Sequence, residues 1–229
     1  MTLLDFARGP ALQWSLTIFI VGVLWRLLGV LLLRSKKDLS EPRNPAAWRG
    51  LKLIALRSWP RREFLQGTAF GEVMGYTFHV GFLVALFFFA PHVLFFADIA
   101  RGLLGTDLRG LLGVGWRTLP NGIVTLVSAV AIAALAAVLI HRLVNPVKRL
   151  ISRFDDYFSW FVTIAPLVTG VVAFSHLAGW PYERLLAIHL LSAELLLVWF
   201  PFGKLMHAFT IFAARGATGM IFERRGASL

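Results

Sequence analysis

Residues Leu185 to Phe212 read LLAIHLLSAELLLVWFPFGKLMHAFTIF, and the interpretation of the whole chain starts from this stretch. It is apolar and long enough to cross a bilayer as a helix. It contains two histidines, His189 and His207, eighteen residues apart. That spacing is five turns at ~3.6 residues per turn, so both imidazoles are predicted on one helix face, ~27 Å apart along the axis. A helix that only faces lipid would not carry them, because polar side chains inside a membrane need partners.

The composition is typical of a polytopic membrane protein. Of 229 residues, 58% are apolar and 20 are Phe, and the mean hydropathy is +0.73. A soluble domain of this size is far less hydrophobic. Cysteine is absent, which excludes disulfides, thiolate metal sites and an iron–sulfur cluster held by this chain. The N-terminal apolar run has no small-residue cleavage site, so we expect a first membrane span and not a cleaved signal.

The apolar runs predict an all-α integral membrane protein with five transmembrane helices in a single domain, 1–229. Each run is long enough to cross a membrane with some tilt. Prolines in or beside these runs are tolerated in membrane helices. The predicted spans cover about 12–33, 76–97, 123–140, 157–178 and 185–212.

The net charge of +11 is distributed unevenly over the loops. The loops after spans one and three and the C-terminal end hold seventeen Lys and Arg, whereas the opposite side holds five. Because basic loops stay in the cytoplasm, we expect the N-terminus outside and the C-terminus in the cytoplasm. The same rule accounts for the positive net charge, so the charge does not indicate that the protein binds nucleic acid.

The histidines pair by depth in this topology. Span two runs outward and span five runs inward, so His79 matches His207 near the cytoplasm, and His92 matches His189 near the outer face. Two antiparallel helices with two histidines each can hold two stacked haems, each iron taking one neutral imidazole from each helix. Such six-coordinate iron suits electron transfer and leaves no open position for substrate.

Three motifs in these spans resemble a known family. They are FHVG at Phe78–Gly81, the Leu190–Leu191 pair after His189, and FPFGKLMH at Phe200–His207. The chain resembles the gamma subunit of respiratory nitrate reductase, a membrane cytochrome b. It is also similar to haem b subunits of sulfite-reductase-associated and high-molecular-weight cytochrome c complexes. The resemblance covers nearly the whole chain, including Arg26 and the basic stretch His141–Arg153.

The resemblance implies a quinol-linked carrier of two haem b groups. Carried over by position, His79 and His207 hold the haem near the cytoplasm, and His189 is one ligand of the outer haem. Arg26 and Lys204 become candidate partners of haem propionates. For both residues the alternative is that the side chain reaches the cytoplasmic interface.

The fourth ligand departs from the family pattern. Family members have it ten residues after the first, where this chain has Phe89. His92 lies thirteen residues after His79, which on an ideal helix leaves the imidazoles ~140° apart. Pro91 can kink the helix and correct part of this difference. His176, near the outer end of span four, is the rival ligand.

Two further polar residues are candidates for a quinone or proton path. If His92 is the ligand, His176 can hydrogen-bond a quinone carbonyl. Glu194, on the outer half of span five, can relay a proton or simply bond a neighbour such as Ser192. His141 is predicted at the cytoplasmic interface.

These observations predict a dihaem b subunit in a bacterial or archaeal cytoplasmic membrane. It would exchange electrons between the quinone pool and an iron–sulfur or other redox subunit at the cytoplasmic face, in either direction. The chain shows no terminal catalytic site. The alternatives are a haem-free membrane anchor with structural histidines, and a single-haem protein that uses only His79 and His207.

Overall fold

The computed structural model describes residues 1–32, 47–56, 58, 65–105, 116–177 and 179–226. These residues form helices, turns and short connections, and no strand occurs among them. Several residues of the sequence analysis lie outside the described residues. They are the span ends Leu33 and Ala178 and the basic residues Arg34, Lys36, Lys37, Arg43, Arg57, Arg61, Arg62 and Arg109.

Nine helices are described in this part of the chain. In chain order, α1 to α9 are Leu3–Leu32, Ala47–Leu56, Leu65–Phe88, Ala90–Leu104, Asn121–Val144, Pro146–Ile151, Phe154–Ser175, Tyr182–Trp199 and His207–Arg224. α1 contains a π-helical turn at Ala7–Ala11, around Pro10.

Five helices among the described residues are long and apolar enough to cross a membrane. They are Leu3–Leu32, Gln66–Phe88, Asn121–Val144, Phe154–Ser175 and Lys204–Arg224. The described part of the chain is therefore helical, with the helices that a multi-pass membrane protein needs. The count matches the prediction. The fifth of these helices, Lys204–Arg224, does not match the predicted fifth span, 185–212, because that span is divided between α8 and α9.

The prediction that 185–212 is one continuous helix is wrong. α8 ends at Trp199, turns follow at Phe200–Gly203, and one 3₁₀ turn at Lys204–Met206 leads into α9. Pro201 lies in this break; it lacks an N–H and its ring clashes with the preceding turn of a helix. His189 and His207 are therefore on different helices, and the prediction that both imidazoles leave one face of a single helix is wrong.

The predicted second span, 76–97, is also interrupted. α3 ends at Phe88, Phe89 is extended with φ −78° and ψ 128°, and α4 starts at Ala90 with Pro91 in its first turn. The kink that Pro91 predicts is confirmed, in the stronger form of a helix break. α3 also begins well before residue 76, at Leu65. The third span lies within α5, and the fourth begins and ends three residues earlier than expected, as α7.

The chain divides into two compact units, which we describe separately. The first unit comprises 1–69, 153–162 and 190–229, and the second comprises 70–152 and 163–189. In the first unit α1 packs closely on the break after α8: a Cβ added to Gly22 would lie 2.6 Å from the Pro201 side chain. Phe19 meets the rings of Phe200 and Phe209 at the same place.

In the second unit the core gathers around Ala85, Val124 and Leu167, from α3, α5 and α7. Phe89 packs against this core. The amide of Leu119 donates to the Phe88 carbonyl at 2.9 Å, which satisfies one carbonyl left open where α3 ends. The core therefore supports the break that separates α3 from α4. The predicted membrane orientation stays a prediction.

Candidate functional site

His92 and His189 come together in the second unit. Their ring centroids are 6.0 Å apart and their ring planes differ by 19°. His92 stands on the first turn of α4, directly after the break at Phe89. On an unbroken helix thirteen residues would have turned it ~140° away from His79. The break removes that constraint, because α4 has its own direction.

A backbone carbonyl fixes the proton of the His92 ring. Nδ1 lies 2.8 Å from the Ala85 carbonyl oxygen. This carbonyl is in the last turn of α3, where carbonyls lack partners within the helix. Since a carbonyl only accepts, Nδ1 carries the hydrogen, and the neutral ring keeps its lone pair on Nε2. A metal-ligating histidine usually has this arrangement.

A threonine hydroxyl fixes the position of the ring proton of His189. Thr169 donates its own hydrogen to the Ala165 carbonyl at 2.7 Å. Its oxygen lies 3.3 Å from Nδ1 of His189, so it accepts the N–H of that ring. The lone pair of a neutral His189 is therefore also on Nε2.

A glycine on α7 provides room for the His189 ring. A Cβ added to Gly170 would lie 3.0 Å from Cε1 and 3.3 Å from Nδ1 of the imidazole. The ring thus lies against the bare backbone of α7, held by Thr169 on one side. Neither residue was among the site residues predicted from the sequence. Their signal is a Thr-Gly pair inside a span that faces a histidine-bearing helix.

His79 and His207 belong to different units, so their pairing stays a prediction. Each ring nevertheless has the same proton arrangement. Nδ1 of His79 lies 2.7 Å from the Gly75 carbonyl, and Nδ1 of His207 lies 2.7 Å from the Lys204 carbonyl. All four predicted ligands therefore offer Nε2 as the site with the lone pair.

The other two histidines differ from these four. His141 places Nδ1 3.1 Å from the ammonium of Lys148, which can only donate, so Nδ1 is the acceptor and Nε2 carries the proton. His176 is exposed in the turn after α7 with φ 53°, and its ring stacks on Tyr182 at 5.5 Å. The ring contact of His189 is with His92, not with the rival His176.

A cleft of about 540 Å³ lies in the first unit beside His207. The exposed side chain of Arg26 reaches it, and it has no carboxylate partner among the described residues. Lys204 also lines the cleft, but its ammonium is paired with Asp156, whose side chain is only 6% exposed. The cleft is lined by Arg26, Asp155, Phe202, Gly203, Lys204, Met206, His207 and Thr210.

Glu194 is buried in the first unit. It is 5% exposed, and its Oε1 has no hydrogen-bond partner among the described residues. An unpaired polar atom in such a place costs about 1–3 kcal/mol. Retaining a carboxyl there needs a reason other than stability.

The 6.0 Å between the ring centroids of His92 and His189 is the one distance here that can be compared with two imidazoles on a single metal ion. With a metal–nitrogen bond of about 2.0–2.1 Å, two imidazoles on opposite sides of one metal ion have ring centroids about 6 Å apart. The described residues contain no cluster of three or more His, Asp or Glu that could hold a metal ion by itself. A haem needs no such cluster, since the porphyrin supplies four of the six ligands.

The fold and the paired histidines define the class as a helical multi-pass membrane protein with two imidazoles brought together. A protein of Nitratidesulfovibrio vulgaris strain Hildenborough, described only as "Protein", is 28% identical over 237 residues, covering 97% of this chain and 96% of its own length. No protein-family model matches the chain, and no solved structure matches it. The likeness over full length indicates a relative of the same size.

Proposed function

We propose that this chain is a dihaem b membrane subunit of a respiratory redox complex. It would exchange electrons between the quinone pool and a partner redox subunit at the cytoplasmic face. The observation that supports the proposal most is the pairing of His92 with His189. Their ring centroids are 6.0 Å apart, and Nδ1 of each ring is hydrogen-bonded to the protein. A lone structural histidine does not need a second imidazole held in this way.

The chain's residues would bind and orient the two haems. His92 and His189 would hold the outer one, and His79 and His207 the inner one, near the cytoplasm. Each ring would be held in orientation by an oxygen that accepts its Nδ1 hydrogen. These oxygens belong to Ala85 for His92, Thr169 for His189, Gly75 for His79 and Lys204 for His207. A bound haem supplies one-electron transfer through its iron.

Other residues would serve the surroundings of the haems. The guanidinium of Arg26 lines the cleft beside His207 without a carboxylate partner among the described residues, and it would bind a haem propionate. His176 and Glu194 would take part in quinone binding or proton release, since neither belongs to the ligand set. The orientation with the N-terminus outside and the residence in a prokaryotic cytoplasmic membrane belong to the same proposal.

The alternative is a membrane anchor without haem, in which the histidines are structural. The absorption spectrum of the purified protein separates the two. The proposal expects sharp α and Soret bands after dithionite reduction and two haems per polypeptide. Absence of these bands in protein produced with sufficient haem overturns the proposal, and one haem per polypeptide reduces it to a single-haem carrier.

Substitutions then assign the ligands. His92→Ala and His189→Ala are each expected to lower the haem content from two to one per polypeptide. His141→Ala is the matched control, because this ring has the opposite proton arrangement. It should keep both haems.

A further inference from the structure

The break between α8 and α9 is held by the start of α7, within the first unit. Gly203 sits in the break so close to the indole of Trp199 that any side chain would collide with it, and an added Cβ would lie 2.9 Å from Ser159 Oγ. Trp199 donates its indole N–H to Ser159 Oγ at 2.9 Å. Ser159 in turn donates to Asp155 Oδ1 at 2.9 Å.

Lys204 joins this network to His207. Its backbone N–H donates to Asp155 Oδ1 at 3.3 Å, and its ammonium pairs with Asp156. Its carbonyl accepts the Nδ1 hydrogen of His207 at 2.7 Å. The residue that orients the His207 ring is thus fixed at its amide and at its side chain by two neighbouring carboxylates.

We propose that Asp155, Asp156, Ser159 and Trp199 are positioning residues that set the rotation of the His207 imidazole through the Lys204 peptide. This inference rests on the proposed function, in which His207 is a haem ligand. It assigns Lys204 a backbone role: its ammonium already has an anionic partner, whereas Arg26 is the cation of the cleft that has none among the described residues.

The reason for such a device follows from the break itself. In a regular helix, an i−4 carbonyl such as that of Gly75 holds the ring of His79. His207 begins a helix, and its acceptor belongs to a 3₁₀ turn that follows four residues of irregular backbone. No regular helical turn of α8 precedes that carbonyl; the last residue of α8, Trp199, bonds to the break through its own carbonyl and through Ser159. The side chains of α7 fix the direction of the carbonyl, from about fifty residues earlier in the sequence.

The experiment uses the full chain in nanodiscs and avoids changes of charge. Trp199→Phe removes the indole donor and keeps an aromatic ring, and Ser159→Ala removes the hydroxyl that relays to Asp155. Trp25→Phe is the matched control, because Trp25 is 67% exposed in the same unit. His207→Ala identifies which haem signal belongs to His207.

The readouts are the low-spin ferric EPR signals and the midpoint potential of each haem. EPR g values depend on the angle between the two imidazole planes, so rotation of one ring shifts one signal. We expect Trp199→Phe and Ser159→Ala to shift the signal of the His207 haem, or to lose that haem selectively. The other signal and the control should match the wild type.

The outcomes separate the inference from the proposed function. A wild-type protein without haem overturns both. Unchanged EPR signals and potentials in both variants, with two haems bound, overturn the positioning role alone. Equal loss of both haems in the variants and not in the control also overturns it, because that is the result of a general structural role.

Discussion

The imidazole of His92 lies 6.0 Å from that of His189, ring centroid to ring centroid, and the two ring planes are 19° apart. His92 reaches this position because α3 stops at Phe88 and α4 starts in a new direction. His189 reaches it because α7 presents a glycine where another residue would have a side chain. The helix break at Phe89 and the absence of a side chain at Gly170 together allow His92 and His189 to pair.

Gly170→Ala tests the contact between α7 and His189. The new methyl carbon would lie 3.0 Å from Cε1 of the ring, which is too close unless the ring moves. We expect partial or complete loss of the haem held by His189, measured as the haem-to-polypeptide ratio.

Gly102→Ala is the control for that substitution. Gly102 is also within a helix, and nothing lies within 4 Å of the position of its Cβ. This variant should bind haem as the wild type does. Full haem content and an unchanged α band in Gly170→Ala would show that the ring does not depend on the open space.

Thr169→Val tests the hydrogen bond to Nδ1 of His189. Valine keeps the shape of threonine and removes the oxygen that accepts the N–H. Loss of such a partner typically lowers metal affinity by about 10–100-fold. The rate of haem transfer to an excess of apomyoglobin measures the change.

Thr169→Ser is the matched variant, because it keeps the hydroxyl. It should hold haem about as well as the wild type. Equal haem release from the valine and serine variants would mean that Thr169 has no influence on the ligand.

Glu194→Met tests why a carboxyl is retained in the first unit. Methionine removes a buried oxygen without a partner, so stability should stay the same or rise by about 1–3 kcal/mol. If Glu194 serves the proton path, quinol oxidation should slow while both haems remain. Thermal unfolding and stopped-flow haem reduction by a quinol provide the two measurements.

Glu183→Met is the control, since Glu183 is exposed at the start of α8. Neither stability nor the rate of haem reduction should change much in this variant. Wild-type reduction kinetics in Glu194→Met would remove Glu194 from the proton path.

Arg26→Gln tests the cation of the cleft beside His207. Removing a positive charge near a haem propionate disfavours the reduced form, so the midpoint potential of one haem should fall. Potentiometric titration of the α band measures it, and Arg184→Gln, exposed at the start of α8, is the control. A potential equal to that of the wild type would leave Arg26 as an interfacial residue.

The sequence predicted the helices better than their interruptions. Apolar runs show where a chain can cross a bilayer, and the described helices follow the predicted third and fourth spans closely, whereas the first helix begins nine residues early and the second span is interrupted. Pro91 predicted a kink beside His92, and the structure has a break there. Pro201 was treated as tolerated within a continuous span. The outcome differs because Trp199 and Ser159 pack against Gly203 in the broken segment, and the Trp199 carbonyl and the Asp155 carboxylate accept backbone N–H groups there.

Sequence motifs and three-dimensional packing favour different histidine pairs. Motifs favoured His79 with His207, whereas the described geometry supports His92 with His189 more directly. The contacts that support the second pair join residues of separate helices, such as Thr169 with His189. The hydrogen bond from the Lys204 amide to Asp155 joins residues about fifty positions apart in the sequence. Spacing along one helix contains no information about such contacts, which arise only from packing.

A cryo-EM map of the full chain in nanodiscs, produced with haem and with its copurifying partners, tests the central claim most directly. The account predicts flat porphyrin density between His92 and His189, with Nε2 of both rings directed at its centre. Continuous protein or lipid density between the two rings, in a sample shown to contain its full haem complement, would contradict it.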